Sequence, residues 1–201
     1  MTHTGLNRRE ALRKLAAGGI GAATASFWVE SLSALARAQA PHAHLAQAGH
    51  VPAGWTPSVL NAHQNETVVT LTELIIPQTD TPGAKAALVN RFIDSVLSEA
   101  DTQARQGFLG GLAWIDARST ALFGGDFVSA GAEQQADLLT RVSDPNAAVE
   151  DKDGADFFQA IKSMTITGYY TTEIGLQQEL GDDGQLFQLS FTGCTHPEHQ
   201  S

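Results

Sequence analysis

Three features of this 201-residue sequence predict an all-α fold: a compact bundle of about five or six helices with an extended N-terminal arm and an irregular C-terminal tail. Apolar residues recur at three- and four-residue spacings over segments long enough for helices. Proline- and glycine-rich turns separate those segments. Alternating β-branched runs are absent apart from the short Thr165-Ile166-Thr167.

Residues 1–38 read as a targeting segment. A basic stretch, Asn7-Arg8-Arg9-Glu10-Ala11-Leu12-Arg13-Lys14, precedes a moderately apolar, glycine-softened run from Leu15 to Val29. Small residues follow, and Ala36-Arg37-Ala38 offers a cleavage site after Ala38. The pair Arg8 and Arg9 resembles the twin-arginine export signal, a route that carries folded cargo. The alternative is an amphipathic helix of the mature fold. The apolar run is too short for a membrane span, which needs about 20 residues. Gly19-Ile20-Gly21-Ala22-Ala23 imitates a dinucleotide fingerprint, but no strand precedes it.

Residues 39–60, with Pro41, Pro52, Pro57, Gly49 and Gly54, are expected to form the extended arm. The helical domain then spans 61–201. Val68, Leu71 and Ile75 stripe a first helix that Pro77 ends. Gln78 to Gly83 is a connector, and Leu88, Phe92 and Val96 predict a helix over roughly 84–99. Asp101 or Thr102 caps a longer one to about Phe123, striped by Phe108, Leu112, Ile115 and Leu122. Its Gly107, Gly110 and Gly111 each cost about 1 kcal/mol relative to alanine. Either a neighbouring helix approaches closely there, or the helix kinks. Gly124-Gly125 ends it. A fourth helix over 131–142 buries Leu138, Leu139 and Val142, and the acidic loop 144–154 reads as a solvated surface. A fifth over 155–167 carries Phe157, Ile161 and Met164, a stripe that marks core. Gly168 interrupts it, and a short sixth helix ends near Leu180.

Charge and cysteine content exclude several functions. The net charge is −10, but residues 1–40 carry +3 (Arg8, Arg9, Arg13, Lys14 and Arg37 against Glu10 and Glu30) and the remainder −13. So acidic a body repels nucleic acid. One cysteine, Cys194, excludes an internal disulfide, a four-cysteine metal cluster and covalently attached haem. Flavin and nicotinamide sites need a βαβ unit with a glycine loop, which a helical chain lacks. A catalytic triad needs a base held by the core. His42, His44 and His50 fall in the arm, His63 at a helix start, and His196 and His199 in the tail. We therefore expect no catalytic residue and no cofactor-binding residue in this chain.

Two clusters remain. Cys194, His196 and His199 are candidate ligands for a soft metal, or a half-site completed by another chain. The plainer reading is a polar tail, with Cys194 available for an intermolecular disulfide. Tyr169-Tyr170 at the Gly168 break reads as interface area or as core.

The segment Leu74-Ile75-Ile76-Pro77-Gln78-Thr79-Asp80-Thr81-Pro82-Gly83-Ala84 resembles the gluconate 2-dehydrogenase subunit 3 family. So do Phe92-Ile93-Asp94, Gly111 to Arg118, Phe157-Phe158, Gly168 to Gly175, and the tail Gly193-Cys194-Thr195-His196-Pro197. The resemblance implies a small, non-catalytic exported subunit. Its partner would be a large flavoprotein of the glucose–methanol–choline type, holding FAD and oxidising a sugar or polyol. A cytochrome c subunit with haem c joins where present. The small subunit would support folding of the flavoprotein and carry it through the twin-arginine translocase to the periplasm, with no transmembrane span of its own after cleavage. Trp114, Tyr169, Tyr170 and Cys194 are then the expected partner contacts.

Overall fold

The computed structural model describes residues 24–47, 54–144 and 148–182, with side chains in the first helix described for 28–39. Its helices are α1 (Thr24–Gln47), α2 (Ala62–Ile75), α3 (Val89–Glu99), α4 (Thr102–Phe123), α5 (Ala132–Ser143) and α6 (Lys152–Tyr170). A 3-10 turn (Val149–Asp151) precedes α6 and a π-helical turn (Ile174–Glu179) follows it. The described residues contain no strand, as the spacing of apolar residues predicts.

Local chemistry sets the boundaries. Asn61 caps α2 by accepting from the Gln64 amide, while the Gln64 side chain reaches back to the Asn61 amide. Asp101 caps α4 through the Ala104 amide, and Gly124, at φ 87°, closes it in the left-handed region that glycine enters without penalty. The helix expected from residue 84 instead begins at Val89. Leu88 sits at φ 56°, so residues 84–88 form turns and the helical path starts after it. Near the other end of the chain, α6 runs through Gly168 without a break. The missing side chain there admits Phe92 of α3 against the α6 backbone.

Helix α6 is the axis of the described residues and packs against the five other α-helices among them. Phe157, Phe158, Ala160, Ile161, Met164, Thr165, Gly168 and Tyr169 are buried, a spread wider than one stripe, as an encircled helix requires. Around it lie Val68 and Leu71 of α2, Ile93, Val96 and Leu97 of α3, Phe108, Leu112 and Ile115 of α4, and Leu138 and Val142 of α5. The crossing of α4 and α6 is reciprocal. Gly111 leaves room for the buried Phe157 ring, and Gly154 leaves room for Trp114. A side chain at either glycine would overlap the facing ring. Two of the three α4 glycines thus mark close approach, Gly111 to α6 and Gly107 to α1, while Gly110 faces open space.

The N-terminal segments have these positions in the structure. Residues 39–47, expected in the extended arm, continue α1, and the predicted cleavage motif Ala36-Arg37-Ala38 lies within that helix. Residues 54–60 are extended, yet held to the body: Trp55 stacks on the Arg91 guanidinium at 4.9 Å. The Asp94 carboxylate accepts four hydrogen bonds, from the amides of Ser58, Val59 and Leu60 and from the Ser58 hydroxyl, at 2.7–3.0 Å. In the acidic loop Asp151 is buried rather than solvated, because it forms a 2.7 Å ion pair with Arg118.

Candidate partner-binding face

The segment Leu74 to Ala84 leaves α2, crosses the end of the bundle and returns into the turns before α3. Its shape is fixed from three directions. Glu73, in the last turn of α2, accepts from the amides of Gln78 (2.9 Å) and Lys85 (2.8 Å) and so ties both sides of the connector together. Gly83 lies so close to this carboxylate that a Cβ there would sit 2.5 Å from Glu73 Oε1. The Tyr169 hydroxyl donates to the Pro82 carbonyl at 2.7 Å, and the Thr81 hydroxyl donates to Glu179 in the π-helical turn. The two stretches of sequence that carry most of the family resemblance, 74–84 and 168–175, therefore meet at one end of the molecule.

Part of that end is exposed. Pro77, Gln78, Thr79 and Asp80 are exposed. Leu74, beside Glu73, is 36% exposed, and Leu180, beside Glu179, is 61% exposed. Tyr170 is half-buried and meets Tyr169 edge-on, with ring centroids 5.2 Å apart. Apolar side chains around a rigid loop, rimmed by Glu73, Asp80 and Glu179, fit a protein-docking face with acidic edges.

The structure separates the expected contact residues. Tyr169 belongs to the core: it is 1% exposed, its hydroxyl is used on Pro82, and burial pushes its phenol pKa up, against a smaller opposing effect of the nearby Thr81 hydroxyl. It positions the loop. Tyr170 stays at the surface. Trp114 lies against Gly154 near the start of α6, about 24 Å along the helix from Tyr170 at a rise of 1.5 Å per residue. There it lines a groove of about 290 Å³ with Trp28, Gly107, Gly110, Gly111, Asp153 and Asp156. Burial raises the Asp156 pKa, and the neighbouring Asp153 adds to this while Lys152 opposes it. Arg8, Arg9, Cys194, His196 and His199 lie outside the described residues.

One pair escaped the sequence reading. His63 Nε2 lies 2.7 Å from Asp116 Oδ2, and Asp116 Oδ1 accepts from the Phe127 amide at 3.1 Å. The Asp116 bond holds the His63 imidazole above its ordinary pKa, against a smaller opposing effect of burial. A base and its orienter are thus present, but among the described residues no hydroxyl or thiol is bonded to the imidazole, as nucleophilic catalysis would require. The pair instead joins α2 to α4 and to the loop before α5. Its members are 53 positions apart, so no local motif announces them. Leu74 and Leu180 were missed as well. Their signal was an apolar residue off the buried stripe of its own element. Among the described residues no cluster of three or more His, Cys, Asp or Glu has metal-site geometry. No helix there is long and apolar enough to cross a membrane.

The family described as gluconate 2-dehydrogenase subunit 3 matches residues 62–182, from the first residue of α2 to just past the π-helical turn. Comparisons with curated proteins and with solved structures gave no match. The family match covers more than half of the chain and takes in the loop, the α4–α6 crossing and the end face described above; the chain belongs to the gluconate 2-dehydrogenase subunit 3 family.

Proposed function

We propose that this chain is the non-catalytic small subunit of a periplasmic dehydrogenase complex. Its large subunit is an FAD-dependent oxidoreductase of the glucose–methanol–choline type acting on a sugar or polyol. The observation that carries the reading is the fate of the family's recurring segments. Gly111, Trp114, Asp116, Arg118, Gly168 and Tyr169 are all spent on packing, pairing and loop fixing, and what they build is a rigid surface. A chain so made holds a partner rather than a substrate. Arg8 and Arg9 direct the assembled pair to the twin-arginine translocase, and a cytochrome c subunit with haem c takes up the electrons where present. FAD and haem belong to those partners.

The end face around Leu74, Tyr170 and Leu180 is the docking surface in this reading, and Cys194 is the candidate covalent tether. A permanent subunit interface buries about 2,000 Å² or more in total, with aromatic anchors near its centre. Co-expression with the flavoprotein and fractionation of the cells test the proposal. The flavoprotein should reach the periplasm with this chain and stay in the cytoplasm when Arg8 and Arg9 are both changed to lysine. Tyr170→Ala and Leu180→Ser together should weaken co-purification at least tenfold. A flavoprotein that is exported and fully active without this chain rules the proposal out.

A further inference from the structure

The largest helix–helix contact in the described residues is between α6 and α1, and α1 comes from the segment that the sequence marks for removal. Leu32 and Ala36 are fully buried, Ser33 is 8% exposed, and Leu35 packs on the core. Gly107 of α4 is matched to this helix: a Cβ there would stand 2.7 Å from the Trp28 indole. Cutting after Ala38 would strip this covering from α6 and α4 and leave the seats of Leu32 and Ala36 open to water. It would also leave a helical glycine with nothing to explain it. The cleavage motif itself is shielded, because Ala36 is buried and all three of its residues are helical. A peptidase acts on locally opened chain, so its rate follows the population of the opened state.

Resting on the export reading above, we propose that residues 28–39 stay in the mature protein as a structural helix seated between α4 and α6, and that processing of the leader falls N-terminal to Thr24. The segment has two successive uses: part of an export leader before translocation, part of the core afterwards. The groove at Trp28 and Trp114 is then a permanent feature of the exported protein, with Asp153 and Asp156 at its rim.

Two measurements on the full-length chain test this. The first is hydrogen exchange of the purified protein, read by mass spectrometry. Amides of residues 29–38 should exchange at least 100-fold more slowly than the free-chain rate, and Leu32→Asp should remove that protection while α5 keeps its own. Free-chain exchange at 29–38 in the wild-type protein overturns the inference. The second is the intact mass of the protein recovered from the periplasm of an expressing cell. A terminus at or before Thr24 supports the inference, and one at Gln39 overturns it. The two readings fail separately. A chain that remains in the cytoplasm but shows protected 29–38 amides supports the helix and refutes export. A periplasmic chain beginning at Gln39 does the reverse.

Discussion

At the scale of single residues, the α4–α6 crossing shows why a helix-weakening residue is kept. Gly111 and Gly154 each lie under a ring of the opposite helix, so alanine at either must displace Phe157 or Trp114 from packed surroundings. Helix propensity favours alanine by about 1 kcal/mol, whereas overfilling a packed core costs about 1–3 kcal/mol. At these two positions the steric effect should win. We expect Gly111→Ala and Gly154→Ala to lower stability in urea by about 2 kcal/mol, and Gly110→Ala, which faces open space, to leave it unchanged or raise it. Equal effects at all three glycines would remove close packing as the explanation. The sequence left two accounts of these glycines, approach or kink. It could not choose between them because the partner rings at Trp28 and Phe157 lie far away in the chain.

At the scale of elements, the strap at 58–60 shows how one carboxylate anchors a segment that has little apolar surface. Asp94 is 2% exposed and accepts four hydrogen bonds. Burial alone would raise its pKa; the bonds from Ser58, Leu60 and Val59 outweigh burial and hold it below the usual carboxylate range. Because the folded value lies below the unfolded one, this stabilisation is complete above the unfolded pKa. It fades as the pH falls through the folded value. Removing the acceptor strands the buried Leu60 amide and the half-buried Val59 amide, at about 1–3 kcal/mol for a buried one. Asp94→Ala should therefore cost about 3 kcal/mol at neutral pH, measured by chemical denaturation. The difference from wild type should shrink as the pH falls below the usual carboxylate range, where wild type itself loses the charge; a difference independent of pH would contradict the assignment. Elements of this kind were only half legible. The helices from α2 to α6 followed from apolar spacing and from caps such as Asn61, Asp101 and Gly124, all of which are local signals. The strap, the His63–Asp116 pair and the Arg118–Asp151 pair depend on which elements fold beside each other, and one sequence does not state that. The α6 boundary failed for the same reason: Gly168 reads locally as a stop, and its tertiary role facing Phe92 overrides that reading.

At the scale of the whole molecule, charge is the property that a partner meets first. The chain carries −10 overall, and the end face is rimmed by Glu73, Asp80 and Glu179. Opposite charge on a partner speeds encounter, and salt removes that gain as the screening length shrinks from about 10 Å at 0.1 M to about 3 Å at 1 M. Association with the proposed flavoprotein partner, followed by stopped flow or surface capture, should slow at least fivefold between low and high salt, with a smaller change in dissociation. An association rate indifferent to salt would mean that the acidic rim does not face the partner. The fold class was readable from periodicity and the proposed docking face was not. A face is made of residues that the apolar stripes leave out, and Leu74 and Leu180 became visible as such only once the buried side of each element was known.

The central position of α6 also has a consequence in time. Among the described residues every other helix leans on it, and it is the last long helix of them to be made, closing at Tyr170. While the ribosome is still producing α2 to α5, the surfaces that will meet α6 have nothing to cover them, and the contact between α1 and α6 joins residues more than a hundred positions apart. Long separations of this kind delay folding, because the intervening chain must be ordered first. The core is therefore completed only once α6 has been made. A truncation anywhere before α6 yields not a smaller version of this protein but an open shell of helices.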